Sequence, residues 1–155
     1  MNARFAAVVE SLEPTFQKLL QMSPVRPERL PPSMPKRGIC LFSENGRHLY
    51  VGRSNNPKNR IQTHCRASSG HGSAAFAFRL ARHETGMTRA SYTARGSRAE
   101  LEKDLIFRPS FMQAKLRIRG MELRYVEETE ATRQALLEIY AATVLETPFN
   151  DFETH

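Results

Sequence analysis

The dipeptide Asn45-Gly46, set between Gly38-Ile39-Cys40-Leu41-Phe42 and His48-Leu49-Tyr50-Val51-Gly52, constrains this chain more than any other feature. Asn-Gly readily adopts the two consecutive positive-φ conformations of a tight hairpin loop, and the apolar runs on either side supply its strands. The sequence therefore predicts an antiparallel pair at 38–43 and 48–52. Pro57 suits the first turn of a helix, with Asn55 or Asn56 as its cap, so a helix to about Arg66 follows the second strand.

The rest of the chain reads as helices around that hairpin. Phe5, Val8, Val9, Leu12, Phe16, Leu19 and Leu20 share one face at helical spacing, with Pro14 marking a break or a second start. Prolines at 24, 27, 31, 32 and 35 then remove backbone donors and fix φ, so an extended connector is expected. This divides the chain into a helical arm and connector, 1–35, and a main domain, 36–155. Ala67 to Ser73 is a loop, and Ala74 to Glu84 a helix that buries Phe76, Phe78 and Leu80 and ends at Gly86. Ser97 to Arg119 forms one or two helices split at Pro109, with Ser97 and Glu100 as a capping box and Gly120 as the stop. The alternation from Met121 to Glu127 gives a third strand with one buried face. Thr129 caps a last helix, about Glu130 to Leu145, which Pro148 prevents from continuing. The expected fold class is mixed α/β (α+β), a small three-stranded, mainly antiparallel sheet flanked by helices.

Charge is placed unevenly. Between Lys36 and Arg95 eleven Lys or Arg stand against Glu44 and Glu84, whereas from Met121 to His155 eight acids stand against Arg124 and Arg133. With a net charge of +7, the basic stretch points to a polyanion, nucleic acid ahead of a merely solvated face. No apolar run approaches the ~18 residues of a membrane span. Two cysteines, Cys40 and Cys65, make neither a disulfide scaffold nor a CxxC metal site, so a cytoplasmic setting is expected. Cys40, His64, Cys65 and His71 fit no common zinc spacing.

Phosphodiester hydrolysis needs a group to orient or deprotonate water, a cation on the phosphate, and stabilisation of the leaving 3′ oxygen. Arginine suits the second task because its planar fork binds two phosphate oxygens. A carboxylate-held divalent cation performs the third as a Lewis acid. The residue types for all three occur in order: Tyr50, Arg60 ten residues on, Glu138 in the last helix, and Asn150 twelve residues beyond it.

That series resembles the GIY-YIG nuclease family over roughly residues 36 to 152. Gly38-Ile39-Cys40 and Tyr50-Val51-Gly52 stand at its two motif strands, with Arg53 as the basic residue that commonly follows the second. The resemblance implies a GIY-YIG endonuclease-like fold and metal-dependent hydrolysis of DNA, with Mg²⁺ or Mn²⁺ held by Glu138. It assigns phosphate stabilisation to Arg60, orientation or deprotonation of water to Tyr50, and bracing of the site to Asn150. Arg53 and Lys58 would contact the nucleic-acid backbone. His64, one turn after Arg60, would contact a phosphate or share the proton transfer, its ordinary pKa lying near neutrality.

Cys40 departs from the family, whose first motif carries tyrosine here. A thiol is several ångströms shorter in reach than a phenol and is usually a small buried hydrophobe in a strand. Either Tyr50 or His64 takes over the base role, or activity is weakened, or the domain binds DNA or RNA through its basic face without cutting. A protein-interaction domain with an acidic partner is a third class. No reader of base identity is evident; specificity would come from nucleic-acid structure, from a protein partner or from self-association. DNA is expected ahead of RNA, with no membrane role.

Overall fold

The computed structural model describes residues 1–87 and 97–153; Arg89 and Arg95 of the basic stretch lie outside the described residues. Strands β1 (Gly38–Glu44) and β2 (Arg47–Ser54) are joined by Asn45 and Gly46, with φ of 52° and 77°. Consecutive positive φ values twist the loop in the sense of the strands it joins. Pairing runs from Gly38 opposite Ser54 to Phe42 opposite Tyr50, then slips so that Ser43 faces His48. Strand β3 (Glu122–Glu127) pairs antiparallel with the other side of β1, giving the order β2-β1-β3 and leaving one side of β2 open. Gly38 permits the close approach of β3, because a Cβ there would stand 2.0 Å from the Val126 carbonyl oxygen.

The central strand is buried on both faces, as its continuous apolar run requires. Cys40 and Phe42 join Tyr50, Ile61, Phe76, Phe107 and Ile118 in one core cluster. Helices α3 (Pro57–Cys65), α4 (Ala75–Thr85) and α6 (Phe107–Arg119) supply its other side. Ile39, Leu41 and Val51 enter a second cluster with Leu12, Phe16 and Leu19 of the N-terminal segment and Leu137 and Ala141 of α7 (Ala131–Leu145). The fold is mixed α/β, a three-stranded antiparallel sheet between helical layers. No described helix is long and apolar enough to cross a membrane.

Several local expectations are corrected. Pro14 marks the expected second start, in the first turn of α2 (Glu13–Gln21) after α1 (Ala3–Glu10), but the single apolar face from Phe5 to Leu20 is not kept. The break resets the helical register, so α1 buries nothing and Phe5 is 49% exposed, while Phe16 and Leu19 reach the core. The connector is not free of structure: Val25 forms a two-way bridge with Leu123, and Pro27–Arg29 make one 3-10 turn. The split after α5 (Arg98–Lys103) falls at Asp104 rather than Pro109. The Asp104 carboxylate accepts from the Ile106 and Phe107 amides and starts α6 there, leaving Pro109 in its first turn, where a missing N–H costs little. Likewise Glu130, not Thr129, caps α7, accepting from the amides of Thr132 and Arg133.

Candidate active site

The open side of β2 is where most of the candidate residues gather. Tyr50 projects from β2 onto the α3–α4 side, and its ring lies back over Gly52. A Cβ at Gly52 would stand 3.2 Å from the ring and 3.5 Å from the hydroxyl oxygen, so the glycine of Tyr50-Val51-Gly52 makes room for the phenol. Phe76 of α4 stacks on the ring at 4.6 Å and 12°, and Tyr50 is only 6% exposed. Sheet and α4 together fix the phenol in place.

Asn56 caps α3 by accepting from the Asn59 amide, which sets the rotation of the helix. Arg60 then emerges partly exposed, with one guanidinium nitrogen donating to the Ser73 carbonyl at 2.9 Å. His64, one turn on, is 1% exposed and packs edge-on against Phe42, Tyr50 and Phe76. Its Nδ1 has no hydrogen-bond partner. Burial, reinforced by Arg60 and Arg79, pushes its pKa down to about 3, so the imidazole is neutral rather than poised near neutrality. The residue type suggested a switch; desolvation removes it.

Glu138 approaches from α7. Its Oε2 accepts from Arg53 Nε at 3.0 Å, with the glutamate side chain 18% and the arginine 51% exposed. Burial raises the Glu138 pKa, and Arg53 and then Arg79 oppose that rise. The Tyr50 pKa is likewise raised chiefly by burial, while Arg79 and Arg60 favour the phenolate and Glu138 disfavours it. These couplings place the phenol, both guanidinium groups and the carboxylate in one electrostatic environment.

Asn150 closes the open strand edge. Its Oδ1 accepts from the Val51 amide at 2.8 Å and its Nδ2 donates to the Val51 carbonyl at 2.8 Å. Thr147 Oγ1 donates to the same Oδ1 at 2.7 Å, and the Phe149 amide donates to the Leu49 carbonyl. The side-chain amide thus replaces a neighbouring strand at one residue of β2.

Two candidates stand apart. Cys40 lies one strand inward, paired with Gly52 on one side and Tyr125 on the other. It is 4% exposed, and burial pushes its thiol up to about 12, the condition of a packing residue. Lys58 is exposed in a different cleft, lined also by Glu28, Arg29, Gln62, Arg66 and Arg119.

One residue of the cluster was missed in the sequence. Arg79 of α4 places its guanidinium carbon 5.8 Å from the Tyr50 ring centroid and donates to the Phe149 carbonyl at 3.0 Å. Its signal was present: a single charge interrupting the apolar run Ala74-Ala75-Phe76-Ala77-Phe78-Arg79-Leu80-Ala81.

Among the described residues no group of three or more His, Cys, Asp or Glu side chains could hold a metal ion. Glu138 alone fits a hard divalent cation of the kind that keeps several waters and takes its remaining oxygens from a substrate phosphate. It is partly buried and faces a region otherwise lined by cations.

The hairpin sheet thus carries a buried phenol, with arginines from one helical layer and a carboxylate from the other. The chain belongs to the GIY-YIG family: the GIY-YIG catalytic domain matches it over residues 40–147, which places it among the nucleases. No curated protein and no solved structure matches the chain.

Proposed function

We propose that this protein is an endonuclease that hydrolyses DNA phosphodiester bonds with Mg²⁺ or Mn²⁺. The observation that carries this reading is the buried Tyr50 phenol on β2, with Arg79 over its ring, the Arg53–Glu138 pair joining the same strand to α7 and Asn150 bonded to the Val51 peptide between them. Glu138 would hold the cation, which supplies Lewis-acid stabilisation of the leaving oxygen. Arg60, which donates to the Ser73 carbonyl and also interacts with the Tyr50 hydroxyl, directs its remaining donors at the phosphate and stabilises charge as the water oxygen–phosphorus bond forms and the bond to the 3′ oxygen breaks. Tyr50 orients the attacking water through its phenolic oxygen and takes over the base role left vacant at Cys40. His64, held neutral by burial, shapes the Tyr50 pocket. Asn150 braces the strand, and Arg53 balances Glu138 at the site, whereas Lys58 would meet the nucleic-acid backbone only at its separate cleft.

The test is cleavage of a labelled duplex in Mg²⁺ or Mn²⁺, followed by chelation and metal add-back. Cutting that stops with chelator and returns with metal supports the proposal; cutting indifferent to chelator contradicts it.

Cys40 favours a second reading, a domain that binds DNA or RNA without cutting. Its buried thiol offers no accessible base where the family carries a phenol. Cleavage absent in the wild type but restored by Cys40→Tyr would select that reading.

A further inference from the structure

We propose that Arg79 is a second phosphate-binding arginine, gripping the nucleic-acid backbone from α4 as Arg60 does from α3. The inference deepens the proposed function and rests on its nucleic-acid substrate. Arg79 is partly buried, yet among the described residues it forms no salt bridge. An arginine withdrawn from water ordinarily has an anionic partner, because its five donors and its charge need compensation. Here the hydrogen bond to the Phe149 carbonyl engages one guanidinium nitrogen, and the Tyr50 ring faces the guanidinium carbon at 5.8 Å. Those two contacts aim the fork without neutralising it.

The cleft around Arg79 sets two arginines and a histidine against the carboxylate of Asp151. Arg79 lines an open cleft of about 180 Å³ with Arg82, His83, Phe149, Asn150 and Asp151. It acts on Tyr50, His64 and Glu138 alike, so an anion held there would lie beside the phenol and within the field of the metal-binding carboxylate. Arg60 likewise forms no salt bridge among the described residues, its contacts being the Ser73 carbonyl and the Tyr50 hydroxyl. Two such arginines flanking one phenol form a clamp for the oxygens of a single phosphodiester or of two neighbouring ones.

The experiment measures duplex DNA affinity against salt in a Glu138→Ala chain, alone and with Arg79→Gln or Arg79→Lys, and cleavage in parallel chains that retain Glu138. Glutamine keeps a donor for Phe149 but loses the charge; lysine keeps the charge but loses the fork. The expected result for Arg79→Gln is an affinity loss of about tenfold or more at low salt. Its slope of log affinity against log salt should be shallower by about one. Arg79→Lys should restore the slope but not the full affinity, with melting temperatures of all three chains within a few degrees. Unchanged slope and affinity in Arg79→Gln, a loss of affinity tracking only a fall in melting temperature, or no duplex affinity in the parent chain would each overturn the proposal. An Arg79-dependent slope with no cleavage by the wild type keeps the phosphate clamp and defeats the nuclease reading. Cleavage with an Arg79-independent slope does the reverse.

Discussion

The side-chain amide of Asn150 pairs with the peptide of Val51 through two hydrogen bonds of 2.8 Å each, performing for one residue of β2 what a fourth strand would do. Val51 is flanked by Leu49 and Tyr50 on one side and Gly52 on the other, so this contact fixes the strand that carries the phenol. Asn150→Ala leaves the Val51 groups at the mercy of water and is expected to destabilise the fold by about 1–3 kcal/mol. Asn150→Asp keeps the acceptor but loses the donor to the Val51 carbonyl, and should fall between. Urea denaturation measures both, and cleavage should fall further than stability alone explains.

Gly52 is the second lever on Tyr50. A methyl group at Gly52 meets the ring at 3.2 Å, and that ring is also held in a stack with Phe76 at 4.6 Å. Gly52→Ala should cost about 1–3 kcal/mol. It should also reduce cleavage by about tenfold to a hundredfold through misplacement of the phenol. Thermal melts and single-turnover rates test the pair, and a fully active Gly52→Ala chain contradicts the role given to Tyr50.

His64 makes acid stability a readout of burial. Its pKa is depressed from the ordinary 6.5 to about 3, so the unfolded chain takes up the proton first. The contribution is therefore fully present above about pH 6.5 and is lost progressively as pH falls toward 3. The full difference corresponds to about 5 kcal/mol. His64→Leu removes the titrating group and should flatten the pH dependence of unfolding over that interval, whatever its effect on stability at neutral pH.

Glu138 predicts the acid limb of activity. Burial raises its pKa, so the carboxylate ionises above the ordinary range, and cation-dependent cleavage should rise with pH through that raised value. Arg53 counteracts the rise, and Arg53→Gln should move the limb to still higher pH. The measurement is the pH profile of kcat at saturating DNA, which separates this effect from any loss of binding.

What was legible in the sequence was local or carried by ordered spacing. The hairpin followed from Asn45-Gly46, helix α3 from Asn56 and Pro57, and the three antiparallel strands from their apolar patterns. The choice between adjacent signals was not legible: Asp104 displaced Pro109 as the break, and Glu130 displaced Thr129 as the cap. Both signals suited each boundary, and the capping bonds that Asp104 and Glu130 make to the amides two and three residues on mark the ones taken. The residue types of the site were also visible, but not their environments. His64 becomes neutral only because Phe42, Tyr50 and Phe76 enclose it, and Cys40 is sealed by both neighbouring strands. Arg79 joins the site through contacts with Tyr50 and Phe149, 29 and 70 residues away in sequence, which no periodicity encodes.

The most direct measurement is nicking of supercoiled plasmid by the wild type, Glu138→Ala and Cys40→Tyr in Mg²⁺ or Mn²⁺. The account predicts nicking by the wild type, its disappearance in Glu138→Ala, and at most a modest gain in Cys40→Tyr. A wild type that leaves the plasmid intact while Cys40→Tyr cuts it would contradict the claim that this chain is a working nuclease.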